Sequence, residues 1–306
     1  YLNDGGKGAL RQMLLAGILC ILYRKDAFYA VAISLAVLVL VSKGFRRGGS
    51  YVLVVVCCVH FLTGVLFTDI LGIREGKISE ALSVPFQQTA RYVKYHEDEV
   101  TEDQKQIINS VLSYSTIIEK YNPGLSDPVK ATWKNPSRED LTRYIGVWWE
   151  MFLKHPRTYI EATLNNMYGY IDAFSRRVVM LQHQLYNKGP LGGTTEEIVF
   201  NTYVSTDSMR NIGLLYTKIW DRLPILSMFC FCGVYTWIEI FLAVNLLRRR
   251  RGRDAALFVL PLMILLISCL SPVNNLCRYM MPIIASVPIF LWFSVGKQVE
   301  TRQKTT

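Results

Sequence analysis

The chain has 306 residues, 51% of them hydrophobic, with 34 Lys plus Arg against 24 Asp plus Glu and a positive mean hydropathy. Apolar residues gathered into blocks exclude an ordinary soluble domain and point to a multi-span membrane protein. Residues 73–224 hold 18 Lys plus Arg and 18 Asp plus Glu, leaving 16 and 6 for the rest, so the excess of +10 lies outside that neutral middle, which excludes an overall basic nucleic-acid-binding domain.

The chain opens at Tyr1 with neither an initiator Met nor the pattern of a signal peptide, and is expected to be a fragment with something removed upstream. Apolar blocks at 9–23 and 27–42 are separated only by Arg24, Lys25 and Asp26. Each is a little short of the roughly 20 residues that cross a bilayer. Two antiparallel spans joined by a tight hairpin are expected, the alternative being one span and a re-entrant piece. The block at 51–67 is rich in Val and reads as a strand on periodicity alone, but its length and neighbours favour a helix.

Uninterrupted apolar runs then stop until 225–247, 255–270 and 279–295. The expected fold is all-α and polytopic. Transmembrane helices 1–3 occupy residues 1–71, an extracytoplasmic helical domain is inserted at 72–224, and helices 4–6 with a cytoplasmic tail fill 225–306.

Sidedness follows from the run Arg248, Arg249, Arg250, Arg251 and Arg253, closed by Asp254, because positive charge beside spans resists translocation. Apolar flanks argue against a nucleic-acid patch. With that loop inside, Lys43, Arg46, Arg47, Lys7, Arg11, Lys297, Arg302 and Lys304 fall inside too. Thirteen basic residues then lie inside, against Arg24, Lys25 and Arg278 in short outside loops. None of the seven cysteines lies in the outside domain, and Asn135 is followed by Pro136, so the domain has no glycosylation acceptor. A bacterial plasma membrane fits better than a secreted eukaryotic setting. No Cys or His spacing indicates a metal site, and no cofactor is evident.

Within the domain, Thr101 with Gln104 and Ser137 with Asp140 have capping-box spacing and predict two helix starts. Leu141, Tyr144, Ile145, Trp148, Met151 and Phe152 form one buried stripe until His155 and Pro156 kink or restart the helix. Tyr159, Ile160, Leu164 and Tyr168 continue it. A last stripe, Met209, Ile212, Leu215, Ile219 and Trp220, begins behind a Ser205 cap and suits the membrane surface. The pair Trp148 and Trp149 reads as packing rather than a sugar-stacking platform.

The motifs Ser83-Val-Pro-Phe-Gln-Gln-Thr-Ala-Arg-Tyr92, Ser126-Asp-Pro-Val-Lys130 and His155-Pro156 with Tyr159-Ile160 resemble an uncharacterised family of multi-pass membrane proteins of Gram-positive bacteria. That family distantly resembles membrane glycosyltransferases of the GT-C class, which take sugars from polyprenyl-phosphate carriers at the outer face. The resemblance implies a polyprenyl-phosphate sugar as co-substrate, with this chain as the C-terminal part. It also implies an acidic catalytic residue in the first outside loop; Asp26 sits in too tight a hairpin to match, so the catalytic base is expected upstream.

Arg24 and Arg278 are placed to meet a lipid-linked phosphate, since a guanidinium engages phosphate oxygens bidentately. The alternative is that they snorkel to headgroups. Arg278-Tyr279-x-x-Pro282 resembles a pattern in polyprenyl-phosphate enzymes, which adds Tyr279 and ranks Arg278 above Arg24. Gln87, Gln88, Arg91, Asp127 and Lys130 are candidates for contacting sugar or acceptor; the alternative is that they tie the domain to the membrane part. His60 and Glu239 lie within spans, where a structural role is expected for both, with pairing or a proton relay as the alternative. Two functions stand: a lipid-linked-sugar glycosyltransferase, and a non-enzymatic transport or envelope protein. Both have the lipid bilayer as partner and neither involves nucleic acid.

Overall fold

The computed structural model describes residues 6–72, 78–175 and 231–303, with scattered positions between 212 and 229. Among these residues the fold is all-helical; the only β features are isolated bridges from Leu125 to Asn122 and to Val273. The described residues include ten helices of ten or more residues: α1 Lys7–Tyr23, α2 Ala27–Val41, α3 Arg46–Val65, α4 Ser83–Tyr95, α5 Glu102–Val111, α6 Arg138–Lys154, α7 Pro156–Met167, α8 Cys232–Arg248, α9 Val259–Cys269 and α10 Cys277–Gln303. The Val-rich block is thus α3, a helix. The Ser205 cap and most of the stripe after it lie outside the described residues.

Among the described residues each apolar block falls on a helix, and three stretches are long and apolar enough to cross a membrane: Lys43–Thr68, Gly252–Cys269 and Cys277–Ser294. Ala27–Val41 is apolar but shorter. Leu40, Phe61, Phe241, Ile289 and Trp292 point outward and are exposed, as on helices whose outer surface meets hydrocarbon rather than water. Inward, α1, α2 and α3 share a core of Ile21, Leu35, Leu38, Phe45, Val52 and Val56. Gly49 permits that packing, since a Cβ there would come 2.3 Å from the Phe45 ring and 2.8 Å from Val39. In α10, Pro282 and Pro288 sit inside the helix, each removing one backbone donor.

Residues 78–175 form a helical domain with its own core, including Phe86, Ala90, Val93, Ile108, Leu112, Tyr144, Met151 and Tyr159. Each large side chain fully buried here contributes about 1.5–3 kcal/mol relative to exposure. The cap at Thr101 is a full capping box; at Ser137 the hydroxyl accepts from the Asp140 backbone N–H but donates to the Asp140 carboxylate, so only half the motif forms. His155 leaves the helical region (φ −134°, ψ 69°), ending α6, and Pro156 starts α7.

The domain docks on the connector at 271–276, between α9 and α10. The Asn166 side chain donates to the Ser271 carbonyl (2.7 Å), and Ser126 donates from both backbone N–H and hydroxyl to the Pro272 carbonyl (2.8 Å each). The Tyr170 hydroxyl donates to the Val273 carbonyl (2.7 Å) and accepts from the Leu276 N–H (3.1 Å). The Asn274 N–H donates to the Gly124 carbonyl (3.0 Å), and its Oδ1 accepts from the Gly169 N–H (2.9 Å). On the other side, Thr236 and Trp237 of α8 donate to the carbonyls of Tyr170 and Ile171. Gly233 allows that approach: a Cβ there would sit 2.3 Å from the Asp172 carbonyl oxygen.

Candidate functional site

A cavity of about 560 Å³ opens between the α1–α2 hairpin and helices α9 and α10. Its walls are mostly apolar, from Leu19, Val31, Leu260, Ile264, Ile267 and Phe290, and its polar lining comes from Arg24, Asp26, Ser268, Tyr279 and Ser286. The hairpin places the two charged groups. With only Lys25 between them, the Arg24 guanidinium clasps the Asp26 carboxylate through Nε (2.8 Å to Oδ1) and through Nη2 to Oδ2. That hydrogen bond raises the Arg24 pKa, so the cation is held firmly.

Arg24, Arg278 and Tyr279 come together. The Arg24 guanidinium lies 5.4 Å from the Tyr279 ring centroid and that of Arg278 5.0 Å, with Arg278 Nη2 donating to the Tyr279 hydroxyl (3.2 Å). Arg278 is exposed and does not line the cavity, whereas Arg24, ranked below it on sequence, does. Among the described residues no carboxylate pairs with Arg278. Two arginines thus flank one phenol beside an apolar cavity, one of them paired with Asp26.

The five residues proposed for sugar or acceptor sit away from the cavity and are engaged within the domain. Gln87 donates to the Asn122 carbonyl. Gln88 donates to Thr163 (2.9 Å) and accepts from Trp148 Nε1 (3.0 Å). Arg91 binds the Tyr121 hydroxyl (3.1 Å) and Glu161 (2.5 Å), and Lys130 bridges Asp127 and Glu80 (2.7 Å each). Trp148 packs against Phe152 and Tyr159, in line with a packing role.

His60 and Glu239 do not pair with each other. The His60 ring stacks on Phe28 at 3.9 Å, and Glu239 Oε1 accepts from the Ser286 hydroxyl (2.9 Å), so Glu239 stands directly behind a residue of the cavity wall. Sequence reasoning missed Ser286 because an isolated serine in an apolar helix carries no signal of its partner. It also missed a cluster of His96, Glu99 and His155, whose ligating atoms all lie within 4.8 Å of one another. These residues come from the end of α4, the following turn and the α6–α7 break, so no local spacing announces them. Lys154 and then His155 hold the Glu99 carboxyl down at about 2.

Residues 6–306 match a family of unknown function, DUF6020. Neither the comparison with curated proteins nor that with solved structures gives a match.

Proposed function

We propose, for a chain that belongs to the DUF6020 family of unknown function, a role as the C-terminal part of an integral membrane glycosyltransferase-like protein. It uses a polyprenyl-phosphate-linked sugar at the outer face of a bacterial cell membrane. In this reading six helices cross the membrane and residues 72–224 are extracytoplasmic, which the distribution of basic residues supports. The observation that carries it is the apolar cavity with Arg24, Arg278 and Tyr279 gathered at its rim. Apolar walls accept the first units of a polyprenyl chain, and the two guanidiniums with the phenol offer convergent donors to its phosphate.

Among the described residues Asp26 is the only carboxylate lining the cavity, and Arg24 occupies it. A phosphate at the rim would compete with Asp26 for the Arg24 donors, and the catalytic base is expected upstream of this chain. The same occupancy supports a second reading, a non-enzymatic transport or envelope protein that binds a lipid phosphate without reaction. The test uses the full-length protein in detergent, titrated with polyprenyl phosphate. Arg278→Ala is expected to weaken binding by about 1–3 kcal/mol, the cost of a lost charged hydrogen-bond partner. Arg278→Lys is expected to weaken it nearly as much, because an ammonium lacks the planar pair of donors. Unchanged binding in both variants sinks the phosphate role and leaves Arg278 as a headgroup anchor. Binding without sugar transfer favours the second reading.

A further inference from the structure

We propose that His96, Glu99 and His155 form a binding site for a divalent transition-metal ion of the zinc class, on the helical domain and separate from the cavity. The groups converge from three places where the chain turns. His96 follows the last residue of α4 in a non-helical conformation, Glu99 ends the next short turn, and His155 occupies the break before α7. Their two imidazoles stack at 3.9 Å with planes only 10° apart, so two ring nitrogens face one carboxylate side by side. His155 Nε2 lies 3.0 and 3.1 Å from the two Glu99 oxygens, and His96 Nδ1 lies 3.6 Å from Oε1.

Neighbours orient each ligand. Thr158 Oγ1 holds His96 Nε2 at 2.9 Å, which leaves Nδ1 as the nitrogen facing the carboxylate. Lys154 Nζ holds Glu99 Oε2 at 2.7 Å, which leaves Oε1 for an ion. Buried Tyr92 packs beneath both rings, with centroids 5.1 and 5.6 Å away. Outer partners of this kind fix ring orientation at metal sites.

The donor set selects the ion. Two imidazole nitrogens and one carboxylate oxygen match open zinc sites, where water completes the coordination, whereas calcium and magnesium require mostly oxygen ligands. Metal–ligand bonds of about 2.0–2.1 Å set tetrahedral ligand atoms about 3.3 Å apart, against 3.0 and 3.6 Å here from Oε1 to the two nitrogens, so small side-chain adjustments would seat an ion. The three side chains retain 23 to 37% exposure, so the rings have room to splay inward. The ion would tie the end of α4 to the α6–α7 break across the surface of the domain.

The test is a titration of the full-length protein, made without a polyhistidine tag and stripped with chelator, using Co²⁺ alone and then Zn²⁺ in competition. One Co²⁺ per chain is expected, with visible ligand-field bands of nitrogen and oxygen ligation that Zn²⁺ abolishes. His96→Ala, His155→Ala and Glu99→Gln are each expected to lower affinity about 10- to 100-fold. Glu99→Gln at a half-exposed position keeps the test open should a histidine variant fail to fold. An intense thiolate charge-transfer band would assign the ion to cysteines of the apolar helices and overturn the proposal. So would absence of saturable binding, or affinity unchanged from wild type in all three variants.

Discussion

Replacing Tyr170 by Phe should loosen the helical domain from the connector it grips. The ring is fully buried against Cys232, Cys269 and Met280, and Phe keeps that packing. What is lost is one hydroxyl that donates to the Val273 carbonyl and accepts from the Leu276 N–H. The Val273 carbonyl retains the Ser271 hydroxyl at 3.0 Å, so the uncompensated loss falls on the Leu276 N–H. Leu276 is only partly buried, so the loss is at most that of a fully buried unsatisfied donor, about 1–3 kcal/mol. If the connector opens locally, its amides should exchange faster by at most roughly five- to 150-fold, since a free-energy loss of that size scales the opening constant directly. Hydrogen exchange on the full-length protein in lipid nanodiscs reads this at peptides covering 271–276. Tyr168→Phe, at a half-exposed ring, is the control and should change nothing there. Unaltered exchange over 271–276 in Tyr170→Phe would show that the hydroxyl does not hold the connector.

Two further outcomes are expected. Cysteines placed at Asp103 and Arg250, in a background without the native cysteines, should react differently with an impermeant thiol reagent on intact cells: position 103 labels and 250 does not, the reverse pattern inverting the proposed topology. Arg91, and then Arg157, hold the Glu161 carboxyl below its usual range. The stability this pairing supplies is therefore present above the ordinary carboxylate pKa and is lost as pH falls through the lowered value. Wild-type protein should lose thermal stability faster on acidification than Glu161→Gln does, and parallel profiles would remove Glu161 from the acid response.

Much of the fold was legible because its signals are local. Apolar blocks produced helices where hydrocarbon-length runs stood, and Thr101 with Gln104 marked a helix start through a motif complete within four residues. His155-Pro156 marked a break because proline cannot extend the preceding helix. The rim of the cavity was partly legible: Arg24, Arg278 and Tyr279 were selected one by one, and the structure gathers them although more than 250 residues separate Arg24 from Tyr279. What stayed hidden depends on tertiary neighbours. Gln87, Gln88, Arg91, Asp127 and Lys130 look like free polar groups in sequence, yet partners 3 to 75 residues away use them. Likewise, nothing in the local pattern of His96 or His155 reveals the other.

The domain holds the 271–276 connector chiefly by its main chain: Asn166, Ser126 and Tyr170 all donate to carbonyls of Ser271, Pro272 and Val273. A backbone carbonyl is the same in every residue, so this junction acts as a ruler rather than a password. The side chains of Ser271, Asn274 and Asn275 add bonds of their own, but a single inserted or deleted residue would throw every carbonyl out of register with its donor. The junction should therefore be inherited as a fixed number of residues.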